Sequence, residues 1–143
     1  MEKPVDLTKF LDAQELVYDR VKSELTSGNK RSHWVWYIFP QVAGLGRSEK
    51  AKIYALQSAE EIEAYINHPV LYPRLLECTQ LVLNHSFMNL QDVLPQPDDM
   101  KFISSMTAFM LCTSDEPVFR KALDVFNKGD MCVKTAEFLS EKF

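Results

Sequence analysis

At 143 residues with a formal charge of -4, the chain is long enough for one domain that buries about 70% of its unfolded surface, and too acidic for generic attachment to nucleic acid or anionic membranes. Its three cysteines, Cys78, Cys112 and Cys132, are scattered with no C-x-x-C pair, which reads as reduced, mostly buried thiols of a cytoplasmic protein and offers no metal-ligand spacing. Asp6, Asp12, Glu15 and Asp19 argue against a signal peptide in the first thirty residues, and the longest apolar run, Trp34–Phe39, falls far short of a membrane span.

In chain order, Asp6 is placed to cap a helix running to about Thr26, in which Leu7, Phe10, Leu11, Gln14, Val17, Tyr18, Val21 and Leu25 recur at three- and four-residue spacing. Gly28-Asn29 supplies a left-handed stop. Ser32 is the expected cap of a short helix, His33–Phe39, ended by Pro40. A buried strand is the alternative there, but no second strand-like run exists to pair with it. A glycine-punctuated loop, Gln41–Gly46, leads to Ser48 as the cap of Glu49–Leu56. Ser58 and Glu61 form a capping box for Ala59–Ile66, with Glu61 reaching back to the Ser58 amide. Asn67-His68-Pro69 breaks the chain before a helix Val70–Asn84, and residues 85–97 are irregular, with room for one turn at Asn89–Leu94.

Asp98 or Asp99 then caps Met100–Cys112, which is apolar on nearly every side and therefore expected to be the central helix, buried by its neighbours. Ser104, Ser105 and Thr107 inside it need partners. Ser114, Asp115 and Pro117 open a helix to about Phe126, Lys128-Gly129 stops it, and Lys134–Phe143 closes the chain. No repeats, low-complexity tracts or dividing linker interrupt the sequence. The expectation is a compact, monomeric, all-α single domain over residues 1–143, with seven or eight helices.

Four blocks, DLTKFLDAQ, GNKRSHWVWYIFPQVAGLGRS, AYINHPVLYPRL and DDMKFISSMTAF, resemble in content and order the family known as domain of unknown function 1810. The second block is long and peculiar enough to be specific by itself. The resemblance spans nearly the whole chain, implies a mainly helical fold and implies no established activity. The chain departs from the family pattern at Tyr72 and Pro95, where glycine is usual, and at Cys132, where an aspartate usually stands three residues before a threonine.

The densest chemistry lies in Lys30–Ser48, which gathers both tryptophans, three cations and a histidine without one acid. If Ser32 caps a helix, the free amides that follow it, flanked by Lys30 and Arg31, favour an anion, and Arg47 with Ser48 at the next helix start supplies a second donor set. Gly44 and Gly46 would let the backbone approach a ligand closely. The plainer alternative is a solvated turn at Lys30 and Arg31, with Arg47 paired to Glu49 or Asp98. His33 is the weak candidate for a general base, against its commoner use as a hydrogen-bonded residue at the core's edge. His68 and His85, at helix boundaries, read as caps or solvated groups.

Trp34 and Trp36 stand about 200° apart on a helix, so one can pack inward while the other lines a cleft. On the opposite wall, Lys101 lies within helical reach of Ser104 and Ser105. A Ser–Lys nucleophile lacks a visible oxyanion hole, so Lys101 and Ser105 are expected as binding residues facing the aromatic segment.

Two classes of function follow. In the first, the domain binds, or binds and hydrolyses, a small anionic or nucleotide-like molecule through Arg31, Ser32, His33, Trp34, Trp36, Arg47, Ser48, Lys101 and Ser105. In the second it is a protein-interaction module, and the aromatic segment is simply core. Charge beside apolar surface is penalised unless it is used, which favours the first. No cofactor, metal or membrane is implied, and nucleic acid is not the expected partner.

Overall fold

The computed structural model describes residues 5–142, with side chains through residue 140, and among them the secondary structure is helical throughout apart from one isolated parallel bridge, Val42 to Leu56. In chain order the elements are α1 (Thr8–Glu15), α2 (Tyr18–Ser27), α3 (Val35–Ile38), α4 (Glu49–Ile53), α5 (Ala59–Ile66), α6 (Leu71–Leu83), α7 (Leu90–Val93), α8 (Asp98–Cys112), α9 (Val118–Asn127) and α10 (Val133–Lys142). The all-α expectation holds, but the described residues form ten helical elements rather than seven or eight. Three of them, α3, α4 and α7, are single turns of four or five residues.

Beyond eight, one element is the turn α7, and the other comes from a break in the first predicted helix. Leu16 points outward, 87% exposed, and Val17 leaves helical geometry at φ -131°. The break lets the two halves serve different neighbours: α1 packs on α3, whereas α2 packs on α6. Asp6 still accepts from the Thr8 amide at 2.9 Å, and Gly28 ends α2 in the left-handed region, φ 73°. A side chain at Gly28 would also collide with the His85 ring, which lies about 2.9 Å from the place of a Cβ. The His85 Nε2 sits 2.8 Å from the carbonyl oxygen of Leu25 and so covers the end of α2.

Other local signals act as the sequence suggests, with small shifts. Ser48 Oγ accepts from the Ala51 amide at 3.1 Å, and Ser58 Oγ from the Glu61 amide at 3.2 Å. The Glu61 carboxylate takes the Gln57 amide at 2.8 Å rather than that of Ser58. His68 Nδ1 accepts from both Val70 and Leu71 at the start of α6. The helix α4 stops at Ile53, short of the predicted Leu56, because Leu56 donates to Gln41 and accepts from Ala43 instead.

The core is built on α8. Phe102, Met106, Ala108 and Phe109 are fully buried, and α3, α5, α7, α9 and α10 all pack against this helix. Phe39 meets Phe102 edge-on at 4.9 Å, and Phe109 stands 5.4 Å from Tyr65 and 5.7 Å from Phe119. No helix among the described residues is long and apolar enough to cross a membrane.

Candidate functional site

The amides that the sequence offers to an anion are already occupied. Glu24, in the last turn of α2, turns its carboxylate into the 31–34 segment. Its Oε1 accepts from the amides of Arg31 and Ser32 at 2.8 and 3.0 Å and from Trp34 Nε1 at 3.0 Å, while Oε2 accepts from Ser32 Oγ at 2.6 Å. Burial pushes this carboxyl up, but the hydrogen bonds from Ser32, Arg31 and Trp34 outweigh it and hold the group at about 2. The same grip keeps residues 31–34 out of the helix, so α3 begins at Val35 with Trp34 as its cap, not at His33 with Ser32.

Beside it, Lys30 is buried. Its ammonium lies 2.6 Å from Asp98 at the start of α8, donates to the Ser32 carbonyl and sits 4.9 Å above the Trp34 ring. Basic and aromatic density in this stretch therefore serves to fasten α2 and α3 to α8. Trp34 is 1% exposed and belongs to the core. Arg31, His33, Arg47 and Ser48 are exposed, and Ser32 is half-buried against Glu24.

Trp36 is the outward member of the tryptophan pair. The ammoniums of Lys50 and Lys101 each lie 5.1 Å from its ring, and its Nε1 is buried without a hydrogen-bond partner. Of the residues expected to converge, Trp36 and Lys101 are thus brought together. Ser105 is fully buried, and its hydroxyl has no hydrogen-bond partner.

A cavity of about 810 Å³ lies on the other side of Lys101. Its walls are the 41–46 loop, the start of α7, the first half of α8, the end of α9 and the start of α10. Leu90 and Ile103 give it an apolar floor, and Met100, Val125, Met131 and Val133, all exposed, form an apolar rim. Its polar lining is Lys101, Asp99 and Ser104 from α8, Cys132 and Lys134 at the start of α10, and the side-chain amides of Gln41, Asn89, Gln91 and Asn127. Asp99 is 6% exposed, and its Oδ1 has no hydrogen-bond partner.

Cys132 owes its position to α8. Its amide donates to Thr107 Oγ1 at 2.9 Å, and Ser104 Oγ reaches its sulfur at 3.3 Å. The Cys132 carbonyl accepts from the Ala136 amide at 3.1 Å, so this residue caps α10. Burial raises its thiol, but Ser104, Thr135 and the amides of Thr135 and Lys134 together bring it below the ordinary cysteine range. The other two thiols are shifted the opposite way. Burial pushes Cys78 up to about 12, and burial with Glu63 nearby pushes Cys112 to about 11. An aqueous alkylating agent at neutral pH is expected to modify one thiol of the folded protein quickly, Cys132, and the other two slowly. Fast labelling of Cys78 and Cys112, read by peptide mass, would contradict this.

Glu24, Asp99, Cys132 and Lys134 were not recognised as functional positions from the sequence. Only Cys132 carried a local signal: a side chain with lone pairs stands directly before an amphipathic run, with Thr135 three residues on. Among the described residues, no group of three or more His, Cys, Asp or Glu is placed to hold a metal ion.

Fold and site together define a small helical domain whose central helix forms one wall of a side cavity edged by lysines and a thiol. The chain belongs to the family described as protein of unknown function (DUF1810), whose pattern matches residues 4–139. It is similar to the conserved hypothetical protein Rv1873 from Mycobacterium tuberculosis, with 40% identity over 96% of this chain and 99% of that one, and a TM-score of 0.94. A search of the curated proteins finds no match.

Proposed function

We propose that the protein is a cytoplasmic domain that binds a small anionic organic molecule in the α8–α9–α10 cavity. The observation that carries this reading is the cavity itself, roomy at about 810 Å³, with an apolar floor and rim and two lysines in its walls. Lys101 has only Asp98, 3.9 Å away, and Lys134 stands in the first turn of α10, where the helix dipole adds to its charge. Pockets of this kind bury most of a small ligand and fix it with a few polar groups. The three free cysteines, scattered and unpaired, support a reducing compartment.

The binding wall differs from the one expected in the sequence. Arg31, Ser32, His33 and Trp34 are replaced by Lys134 and the capped start of α10, because Glu24 already satisfies the donors at 31–34. A thermal-shift screen of nucleotides, sugar phosphates and dicarboxylates tests the reading. A bound anion at a hundred times its Kd should stabilise the wild type by about 2.7 kcal/mol. Lys101→Ala and Lys134→Ala should each weaken binding by roughly tenfold or more, since a charge-assisted hydrogen bond contributes about 1.5–3 kcal/mol. Arg31→Ala, exposed and away from the cavity, should respond as the wild type does. If no anion stabilises the wild type, the interaction-module reading takes its place.

A further inference from the structure

We propose that Cys132 is a thiol–disulfide exchange site, and that its reaction partner in the cavity is a small amino-acid-type disulfide carrying both carboxylates and an ammonium group. The inference rests on the cavity reading above and adds the chemical class of the occupant.

Two elements, α8 and α10, contribute three observations. At the start of α10, Cys132 lines the cavity, half-buried, and Ser104 Oγ lies 3.3 Å from its sulfur and 3.0 Å from the Met100 carbonyl, so its one proton is shared between the two. From α8, Asp99 borders the same cavity, nine-tenths buried, with Oδ1 unpartnered. A buried carboxylate oxygen without a donor is costly, and an occupant bearing an ammonium supplies one. Lys101 and Lys134 call for the opposite charge. A molecule that satisfies all three carries an ammonium, carboxylates and a sulfur electrophile, with enough aliphatic chain for the apolar rim. Zwitterionic disulfides of the cystine and glutathione type have that set; nucleotides lack the sulfur, and dicarboxylates lack the ammonium.

The step balances without a further reactant. Cys132 gives its proton to solvent, and the thiolate attacks one sulfur of the disulfide. A new sulfur–sulfur bond forms, the old one breaks, and the departing thiolate takes a proton from water. Cys132 is oxidised to the mixed disulfide and the released half is reduced to a thiol. The donors around the sulfur stabilise its thiolate relative to that of an ordinary cysteine.

Oxidised glutathione is the probe, incubated with the folded protein at neutral pH and followed by intact mass and peptide mapping. One adduct is expected, on Cys132, forming about fivefold or more faster than on the same chain unfolded in urea. Asp99→Asn should slow this reaction by about tenfold, the equivalent of one charge-assisted hydrogen bond, and should not slow dithiodiglycolate, an anionic disulfide lacking an ammonium. An adduct forming no faster than on the unfolded chain, or on Cys78 or Cys112 instead, overturns the proposal. Equal slowing of both disulfides by Asp99→Asn overturns it too. S-methylglutathione, which cannot exchange, separates the chemistry from the cavity. It is tested on Cys132→Ser, where serine keeps the cap. If it raises that protein's Tm while the wild type forms no adduct, exchange falls and the cavity reading stands. If neither it nor any small anion raises Tm and no adduct forms, both fall.

Discussion

Replacing Glu24 by alanine is expected to destabilise the domain by about 2–4 kcal/mol, a large part of a total of about 5–15. The substitution strips the acceptor from two backbone amides, the Trp34 indole and the Ser32 hydroxyl at once. It also frees the 31–34 segment that leads Trp34 into the core. Glu24→Gln, which keeps one acceptor oxygen but loses the charge, should fall between the two. The effect has a pH signature. The folded carboxyl titrates at about 2, below its ordinary value of 4.5. Its contribution is therefore complete above about pH 4.5 and is lost as pH falls through that window towards 2. Urea melts of wild type and Glu24→Ala across pH 2–7 should converge at the acid end and separate above it. A gap between them that does not vary with pH would mean that the carboxylate's charge contributes nothing.

Met106→Asp should leave no cooperatively folded domain at 25 °C. Met106 is fully buried on α8, the helix against which five others pack, and belongs to the apolar core. A lone carboxylate there costs several kcal/mol whether it stays charged or takes up a proton, which is comparable to the whole stability. Met106→Leu, close in volume, should cost less than about 1.5 kcal/mol. Far-UV circular dichroism during thermal melting reads both, and a sharp transition near the wild-type Tm for Met106→Asp would remove α8 from the centre of the fold.

What the sequence made legible was local. The Ser48 and Ser58 caps, the Gly28 stop, the turn at 90–93 and the all-round apolar helix from 98 to 112 each depend on residues within one or two turns of one another. The donors at 31–34 were legible too, as groups in need of an anion. Their partner was not, because Glu24 lies on α2 at a position that reads as part of a solvated face until the chain folds back on it. Arg31 and Arg47 look like ligands for the same reason: charge beside aromatic residues carries no direction in one dimension. Trp34 and Trp36 were expected to diverge, and they do, one into the core and one between two lysines.

The cavity was hidden for a different reason. Its walls come from five separated stretches, and no periodicity links Leu45 to Met88, Phe126 and Cys132. Lys101 was picked out correctly as a residue facing the aromatic segment, through Trp36, but its other side belongs to the cavity. Cys132 was grouped with the reduced, mostly buried thiols because the three cysteines are scattered without a C-x-x-C pair, and the last helix was expected to begin at Lys134, two residues beyond it.

The attachment of α10 bears on how a molecule would enter. Among the described residues this helix rests chiefly on α8, with Thr135 and Leu139 as its buried positions and the Thr107–Cys132 hydrogen bond at its head. With Phe138 half-buried beside them, these contacts are fewer than those around Phe102 and Phe109, so α10 is expected to open locally at a lower cost than the helices at the centre of the core. The wall that carries Cys132 and Lys134 is thus also a terminal helix held chiefly by one neighbour. Access needs no separate moving part, and an occupant bridging α8 to α10 would slow amide exchange along the last helix before it altered exchange anywhere else.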